Sequence, residues 1–150
     1  MSTITASTTT QLLQALKVAQ PGDTILLTSG TYSNVAISNL KIVGDVTITS
    51  KDPGAPAVFT DLSINNSSGL NFSNVEVAVD PARGSNPIKV TDSTDIHLDR
   101  FNVHGSLDGN PTNDSSALQI RGSSNVSVTN SEFQQLSNGI SHLDSDHITI

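Results

Sequence analysis

The sequence predicts an all-β solenoid built from stacked coils of short parallel strands. A triplet with an apolar-x-apolar pattern returns four times, at Leu62–Ile64, Ile88–Val90, Leu118–Ile120 and, with a final histidine, Ile140–His142. The start-to-start spacings are 26, 30 and 22 residues. A unit of this length cannot bury an apolar face alone, which is typical of solenoids. Alternation with a period of two indicates strands rather than helices.

Equivalent positions in successive repeats form columns that keep their residue type. The predicted inward columns are Leu62/Ile88/Leu118/Ile140, Leu70/Ile96/Val126/Ile148 and Val77/Val103/Phe133. The predicted turn columns are Asn66/Asp92/Gly122/Asp144, Ser67/Ser93/Ser123/Ser145 and Asn74/Arg100/Asn130. Stacked strands lie roughly 4.8 Å apart, so such columns satisfy backbone groups at the turns. We therefore expect a parallel β-helix of about five coils, right-handed because parallel crossovers strongly favour that sense. His142 falls in an inward column, which we interpret as a local register break.

The first sixty residues predict a cap followed by the first coil. Thr8, Thr9 and Thr10 are candidate N-caps for an amphipathic helix near residues 8–20, which Pro21 and Gly22 end. Short strands are expected at 24–27, 35–37, 40–42 and 46–48, with a turn at 29–31. We predict one β-helix domain over residues 1–150. Because the chain stops in the middle of a coil, it is expected to be the N-terminal fragment of a longer solenoid.

Composition and charge exclude several classes of partner and site. The net charge of −7 argues against nucleic acid as a partner, because phosphate binding needs a basic face. The chain has no cysteine, so it has neither disulfides nor a thiolate metal site. No stretch approaches the roughly 20 apolar residues of a membrane span. The N-terminus lacks the basic and apolar regions of a secretory signal.

Two parts of the sequence resemble a known superfamily. Residues 10–16 (TQLLQAL), 20–27 (QPGDTILL) and 30–32 (GTY) resemble the N-terminal cap and first coil of pectate-lyase-like proteins, closest to the alginate lyase and chondroitinase B group. Residues 124–133 (SNVSVTNSEF) are similar to right-handed β-helix repeats of secreted bacterial proteins. The resemblance implies a secreted or extracellular protein that acts on polysaccharide. In such lyases a lysine and an arginine act as base and acid in later coils, often beside calcium, and those motifs have no match here.

The variable repeat spacing predicts a binding surface. The extra residues fall in two long loops, 78–87 and 104–117, which must leave adjacent coils at the same edge. Insertions collected on one face of a solenoid often build a binding site. The candidate substrate-binding residues are Arg83, Lys89, His104, Gln119 and Arg121. Cations in this group could hold uronate carboxylates by charge-assisted hydrogen bonds. The alternative is that these loops are ordinary solvated surface.

Other titratable residues give weaker signals. Asp108 and Asp114 are candidate ligands for calcium, which needs six to eight oxygens. His97 and His147 are interpreted as surface histidines, since a general acid or base needs a partner within hydrogen-bond reach.

Two classes of function fit the sequence. The first is an enzyme on acidic polysaccharide, a lyase or an epimerase, which needs a base and a group that stabilises an enolate. The second is a non-catalytic secreted scaffold, such as an adhesin, a tail-spike or a calcium-binding β-helix module. No complete catalytic set is visible, so the chain alone is expected to bind an acidic polysaccharide such as alginate without turnover.

Overall fold

The computed structural model describes residues 1–80, 82 and 86–150 and is a parallel β-solenoid of about five turns with a short helix near its N-terminus. The helix is α1 (Thr9–Val18), and Pro111–Asn113 form a 3-10 turn. The strands in the described residues are β1 (Thr3–Ala6), β2 (Thr24–Leu27), β3 (Gly30–Tyr32), β4 (Val35–Ser38), β5 (Lys41–Ser50), β6 (Ala57–Phe59), β7 (Leu62–Asn65), β8 (Ser68–Ala78), β9 (Ile88–Thr91), β10 (Thr94–His104), β11 (Ser116–Arg121), β12 (Ser124–Thr129), β13 (Glu132–Gln134), β14 (Asn138–Leu143) and β15 (Asp146–Thr149).

The strands stack into three faces, and every pairing between them is parallel. Face one consists of β4, β7, β9, β11 and β14. Face two consists of β1, β2, β5, the first halves of β8 and β10, β12 and β15. Face three consists of β3, β6, the second halves of β8 and β10, and β13. The pairings match the predicted columns residue by residue, so the parallel solenoid is confirmed. Residues 41–42 and 46–48, from the two strands expected at 40–42 and 46–48, belong to the single strand β5, and the expected turn at 29–31 is partly β3.

The core lies inside the coils and is closed at one end by α1. The apolar inward residues from Ile25 to Val128 are buried. Three aromatic rings make edge-to-face contacts in this core, with centroid distances of 5.6 Å between Tyr32 and Phe59 and 6.2 Å between Phe59 and Phe72. Thr8 is the N-cap of the helix, and its Oγ accepts a hydrogen bond from the N–H of Gln11 at 3.1 Å. Its apolar side covers the first coil. The predicted N-terminal cap is therefore confirmed.

The corner between faces one and two is held by a buried column of serines. The Oγ atoms of Ser93, Ser123 and Ser145 accept from the N–H of the serine one coil earlier at 3.1, 3.2 and 3.1 Å. Each hydroxyl also donates to the carbonyl two residues before it, as from Ser93 to Thr91 at 2.7 Å. A buried backbone N–H without a partner is costly, so this column stabilises the corner. The residue before each serine, Asn66, Asp92, Gly122 or Asp144, has a positive φ.

The expectation of a register break at His142 is wrong. Strand β14 continues the pairing of face one without interruption, and Ile120 lies opposite His142. His142 is exposed because β14 is the last strand of this face in the structure and its inward side is open to solvent. His142 therefore keeps the inward register of face one.

Candidate functional site

The two long loops leave the solenoid side by side. Strands β8 and β10 end at Ala78 and His104, which lie opposite each other in the sheet. After these ends the chain re-enters face one at Ile88 on β9 and at Ser116 on β11, which lie in adjacent coils. The shared exit edge predicted from the repeat spacing is confirmed. Because face one begins where these loops end, its strands β9 and β11 lie directly beside them.

Within the part of the chain that the structure describes, the outward strand positions of face one carry no carboxylate. These positions are Ala36 and Ser38 on β4, Ser63 and Asn65 on β7, Lys89 and Thr91 on β9, Gln119 and Arg121 on β11, and Ser141 and Leu143 on β14. By contrast, face two carries Asp99 and face three carries Glu76 and Glu132 at outward positions. Face one is therefore the least acidic face of a strongly acidic chain.

Three predicted binding residues lie together on this face. Lys89 and Gln119 are direct neighbours on paired strands, and Arg121 follows two residues along β11, opposite Thr91. Lys89 and Arg121 are exposed, and within the described part of the chain neither makes an ion pair. Diagonal neighbours in a sheet are separated by roughly 7–8 Å, so both cations can contact one extended anion. At the corner between faces one and two, the carboxylate of Asp92 lies over Gly122, the residue that follows Arg121. Arg83, the third cation predicted for this site, lies outside the described residues.

His104 is placed at the exit edge but faces away from face one. Its Nε2 lies 2.8 Å from Oε1 of Glu76, and its Nδ1 lies 3.0 Å from the carbonyl oxygen of Gly105. Both neighbours are acceptors, so only the doubly protonated ring can donate to both. Partial burial by itself lowers the pKa of His104, but the hydrogen bonds to Glu76 and Gly105 outweigh it and leave the pKa raised above the usual 6.5. His104 thus anchors the start of the second long loop.

The His104 contacts predict a pH-dependent stability. A raised pKa in the folded state means that the contribution is fully present below the unfolded value near 6.5 and is lost as pH rises through the folded value. We expect the difference in unfolding free energy between the wild type and His104→Gln to shrink between pH 6 and pH 9. Urea melts at intervals over that range measure it, together with an NMR titration of the imidazole.

Glu76→Gln is the control for this pH effect. Removing the carboxylate should lower the His104 pKa while keeping a hydrogen-bonding side chain of the same size. An unchanged imidazole titration in this variant would contradict the proposed cause of the shift.

The two predicted calcium ligands lie on the second long loop. Both carboxylate oxygens of Asp108 are already used: Oδ1 accepts from Ser106 and from the N–H of Asn110, and Oδ2 accepts from Asn113 at 2.9 Å. The hydrogen bond from Asn113 and those from Asn110 and Ser106 hold the pKa of Asp108 below its usual value. In the described ranges no three His, Cys, Asp or Glu side chains group as metal ligands do. Calcium at Asp108 and Asp114 stays a prediction.

Two histidines outside the site lie at the surface. His97 projects from face two, where its Nδ1 lies 2.7 Å from Oγ of Ser127 on the next strand. His147 is exposed beside Asp146, with Nδ1 and Oδ2 3.6 Å apart. Neither contacts face one or the long loops through any described hydrogen bond.

The partner of His104 was missed in the sequence, although a signal was present. The offset of 26 residues places Ala78 opposite His104, and Glu76 is two residues earlier on the same outward side. Diagonal neighbours on one side of a sheet are within reach of long side chains. Extending the columns to outward positions of face three would have predicted this pair.

Comparisons with known proteins give one structural similarity. The crystal structure of alginate lyase from Paenibacillus sp. str. FPU-7 superimposes with a TM-score of 0.49 and 21% sequence identity, over 87% of this chain and 44% of that chain. The present chain thus spans less than half the length of that protein. No family model matches the sequence, and no curated protein matches it. Among the described residues, no helix is long and apolar enough to cross a membrane.

Proposed function

We propose that the chain binds an acidic polysaccharide such as alginate on face one, through Lys89, Gln119 and Arg121. The observation that supports this proposal most directly is the carboxylate-free outward surface of face one, with two cations that have no described ion-pair partner, on a chain with a net charge of −7. By contrast, the outward positions of faces two and three carry carboxylates such as Asp99 and Glu76. A polyanion therefore meets its most favourable local field on this face.

The three side chains supply complementary contacts for a uronate chain. The Arg121 guanidinium can form two parallel hydrogen bonds to one carboxylate, whereas Lys89 acts as a compact point charge. The Gln119 amide, directly beside Lys89, can donate to and accept from sugar hydroxyl groups. Each exposed charge contact contributes little, typically about 0.2–1 kcal/mol. Affinity then comes from repetition of the carboxylate along the polymer.

The proposal is for binding rather than turnover by this chain. A lyase or epimerase needs a base, an acid and a charge stabiliser around one carbon atom. The described residues of face one offer cations and an amide but no such set, and His104 is held by Glu76 on face three. We also propose that the solenoid is right-handed, because parallel crossover connections strongly favour that sense. A secreted location is part of the proposal as well.

Calorimetric titration with alginate, pectate and a neutral glucan tests the proposal. We expect heat with both uronans and none with the glucan. The double variant Lys89→Ala/Arg121→Ala should weaken uronan binding about tenfold, from two exposed charge contacts. Its binding should also depend less on salt, because exposed charge contacts are screened.

Lys51→Ala is the matched control for the single variant Lys89→Ala. Lys51 is exposed and follows β5 at the corner between faces two and three, so its removal changes the net charge equally at a distant place. We expect this variant to bind as the wild type does. Equal binding of the neutral glucan, or equal weakening by both single variants, would rule out a specific cationic site on face one.

A further inference from the structure

Face one continues beyond its first strand into a groove beside the capping helix. The groove lies between α1 and β4, has a volume of about 250 Å³, and is lined by Leu13, Leu16, Lys17, Ala36, Ile37, Ser38 and Leu40. We call it the cap groove. Its walls are mostly apolar, and its one charged residue is Lys17, which is exposed in the last turn of α1. Lys17 makes no ion pair within the described part of the chain.

The cap groove and the proposed binding surface share the same outward positions. Ala36 and Ser38 line the groove and are also the outward residues of β4. Ser63 and Asn65 on β7 pair with them, and Lys89 and Thr91 on β9 come next. Lys17, on α1, therefore lies at one end of the carboxylate-free surface, beyond β4. Arg121 on β11 lies three strand spacings from β4, about 14 Å at the usual spacing of roughly 4.8 Å, so Lys17 and Arg121 are farther apart than that.

Electrostatics selects the direction in which an extended anion can lie on face one. A chain parallel to the strands would cross the corner column that carries Asp92 and Asp144. A chain along β11 would also meet, at the opposite edge, the loop of residues 105–115, which contains Asp108 and Asp114 and no lysine or arginine. A chain parallel to the solenoid axis stays above strand positions without any carboxylate. The axial direction is therefore the one that avoids repulsion.

We propose that an extended polyuronate lies along the solenoid axis on face one, from Arg121 past Lys89 to Lys17, with one sugar ring seated against the cap groove. This inference rests on the proposed function and adds to it the chain direction, a third cation and a minimum ligand length. The apolar walls formed by Leu13 and Leu40 suit the C–H face of a pyranose ring. Lys17 then holds the carboxylate of that ring or of its neighbour.

Ligand length provides the sharpest test of the axial direction. An oligomer that spans clearly more than about 14 Å can contact both ends of the surface, and the second contact is then intramolecular. We expect the affinity of the wild type for oligogalacturonates of defined length to rise several-fold once that span is reached. Lys17→Ala should remove this rise, with a five- to tenfold loss for long oligomers and none for the dimer. Lys17→Arg should restore it.

Two controls separate this inference from helix stability and from net charge. Gln14→Ala alters another exposed position of α1, and Lys51→Ala removes one charge far from face one. Both should keep the length dependence of the wild type, and thermal melts check that Lys17→Ala still folds.

The possible outcomes distinguish this inference from the proposed function. If Lys17→Ala binds every length as the wild type does while Lys89→Ala/Arg121→Ala is weakened, the axial arrangement is overturned and the site on face one remains. If Lys89→Ala/Arg121→Ala also binds as the wild type does, the proposed function fails and this inference fails with it.

Discussion

Val126→Asp is expected to lower the unfolding free energy by about 3 kcal/mol or more, because it places an unpaired charge in a dry core. Val126 is 1% exposed and lies between Ile96 and Ile148 in the column of face two. No described polar group projects into that column, so the carboxylate would have neither a hydrogen-bond partner nor water. The protein would relieve the strain only by protonating the group or opening the coil.

Ser127→Asp is the matched control, one residue along the same strand but on the outward side. Ser127 is half-buried, and its Oγ lies 2.7 Å from Nδ1 of His97, which can donate to a carboxylate instead. This change should cost less than about 1 kcal/mol. Denaturant melts of both variants compare the two costs. Similar losses would show that the alternation of inward and outward residues on β12 is not as described.

The stacked faces could be predicted from sequence because successive repeats carry the same alternation of inward apolar and outward polar residues. Ile88, Leu118 and Ile140 each follow the previous equivalent residue after a different spacing, yet all keep the inward position. A variable loop changes the spacing without moving the residues of the strand. The period of two then fixes which side of the strand faces the core. His142 misled this reasoning because a polar residue type in an inward column does not by itself mark a change of register.

The full candidate site could not be predicted, because parts of it come from elements that do not repeat. Lys89, Gln119 and Arg121 occupy repeat positions, and their grouping follows from the columns. Lys17 belongs to α1, whose position over the first coil depends on packing that the repeat does not describe. The hydrogen bonds that both oxygens of Asp108 accept within its own loop were likewise not predictable from the repeat columns.

A second irregular feature is the bulge in β5 opposite Gly69. Lys41 pairs with Ser68 and Val46 pairs with Leu70, so four residues of β5 face the single residue Gly69. A Cβ atom at this position would lie 2.2 Å from the carbonyl oxygen of Gly44 and 2.6 Å from that of Ile42. The equivalent residues in later coils, Asp95, Asn125 and His147, also have positive φ but face strands without such a bulge. Their side chains are tolerated for that reason.

Gly69→Ala should therefore be among the most damaging small substitutions. Its cost has two causes, the left-handed backbone conformation and steric overlap of the new Cβ atom, and Gly109→Ala measures the first cause alone. Both glycines have nearly the same φ, +76° and +74°, but nothing lies within 4 Å of a Cβ atom built on Gly109. Gly109→Ala should cost only the left-handed backbone term, about 1 kcal/mol. Gly69→Ala adds overlap with two backbone oxygens that cannot rotate away, for a total of about 3 kcal/mol or more. Denaturant melts measure both, and equal costs would mean that backbone conformation alone decides and that the β5 bulge does not press on Gly69.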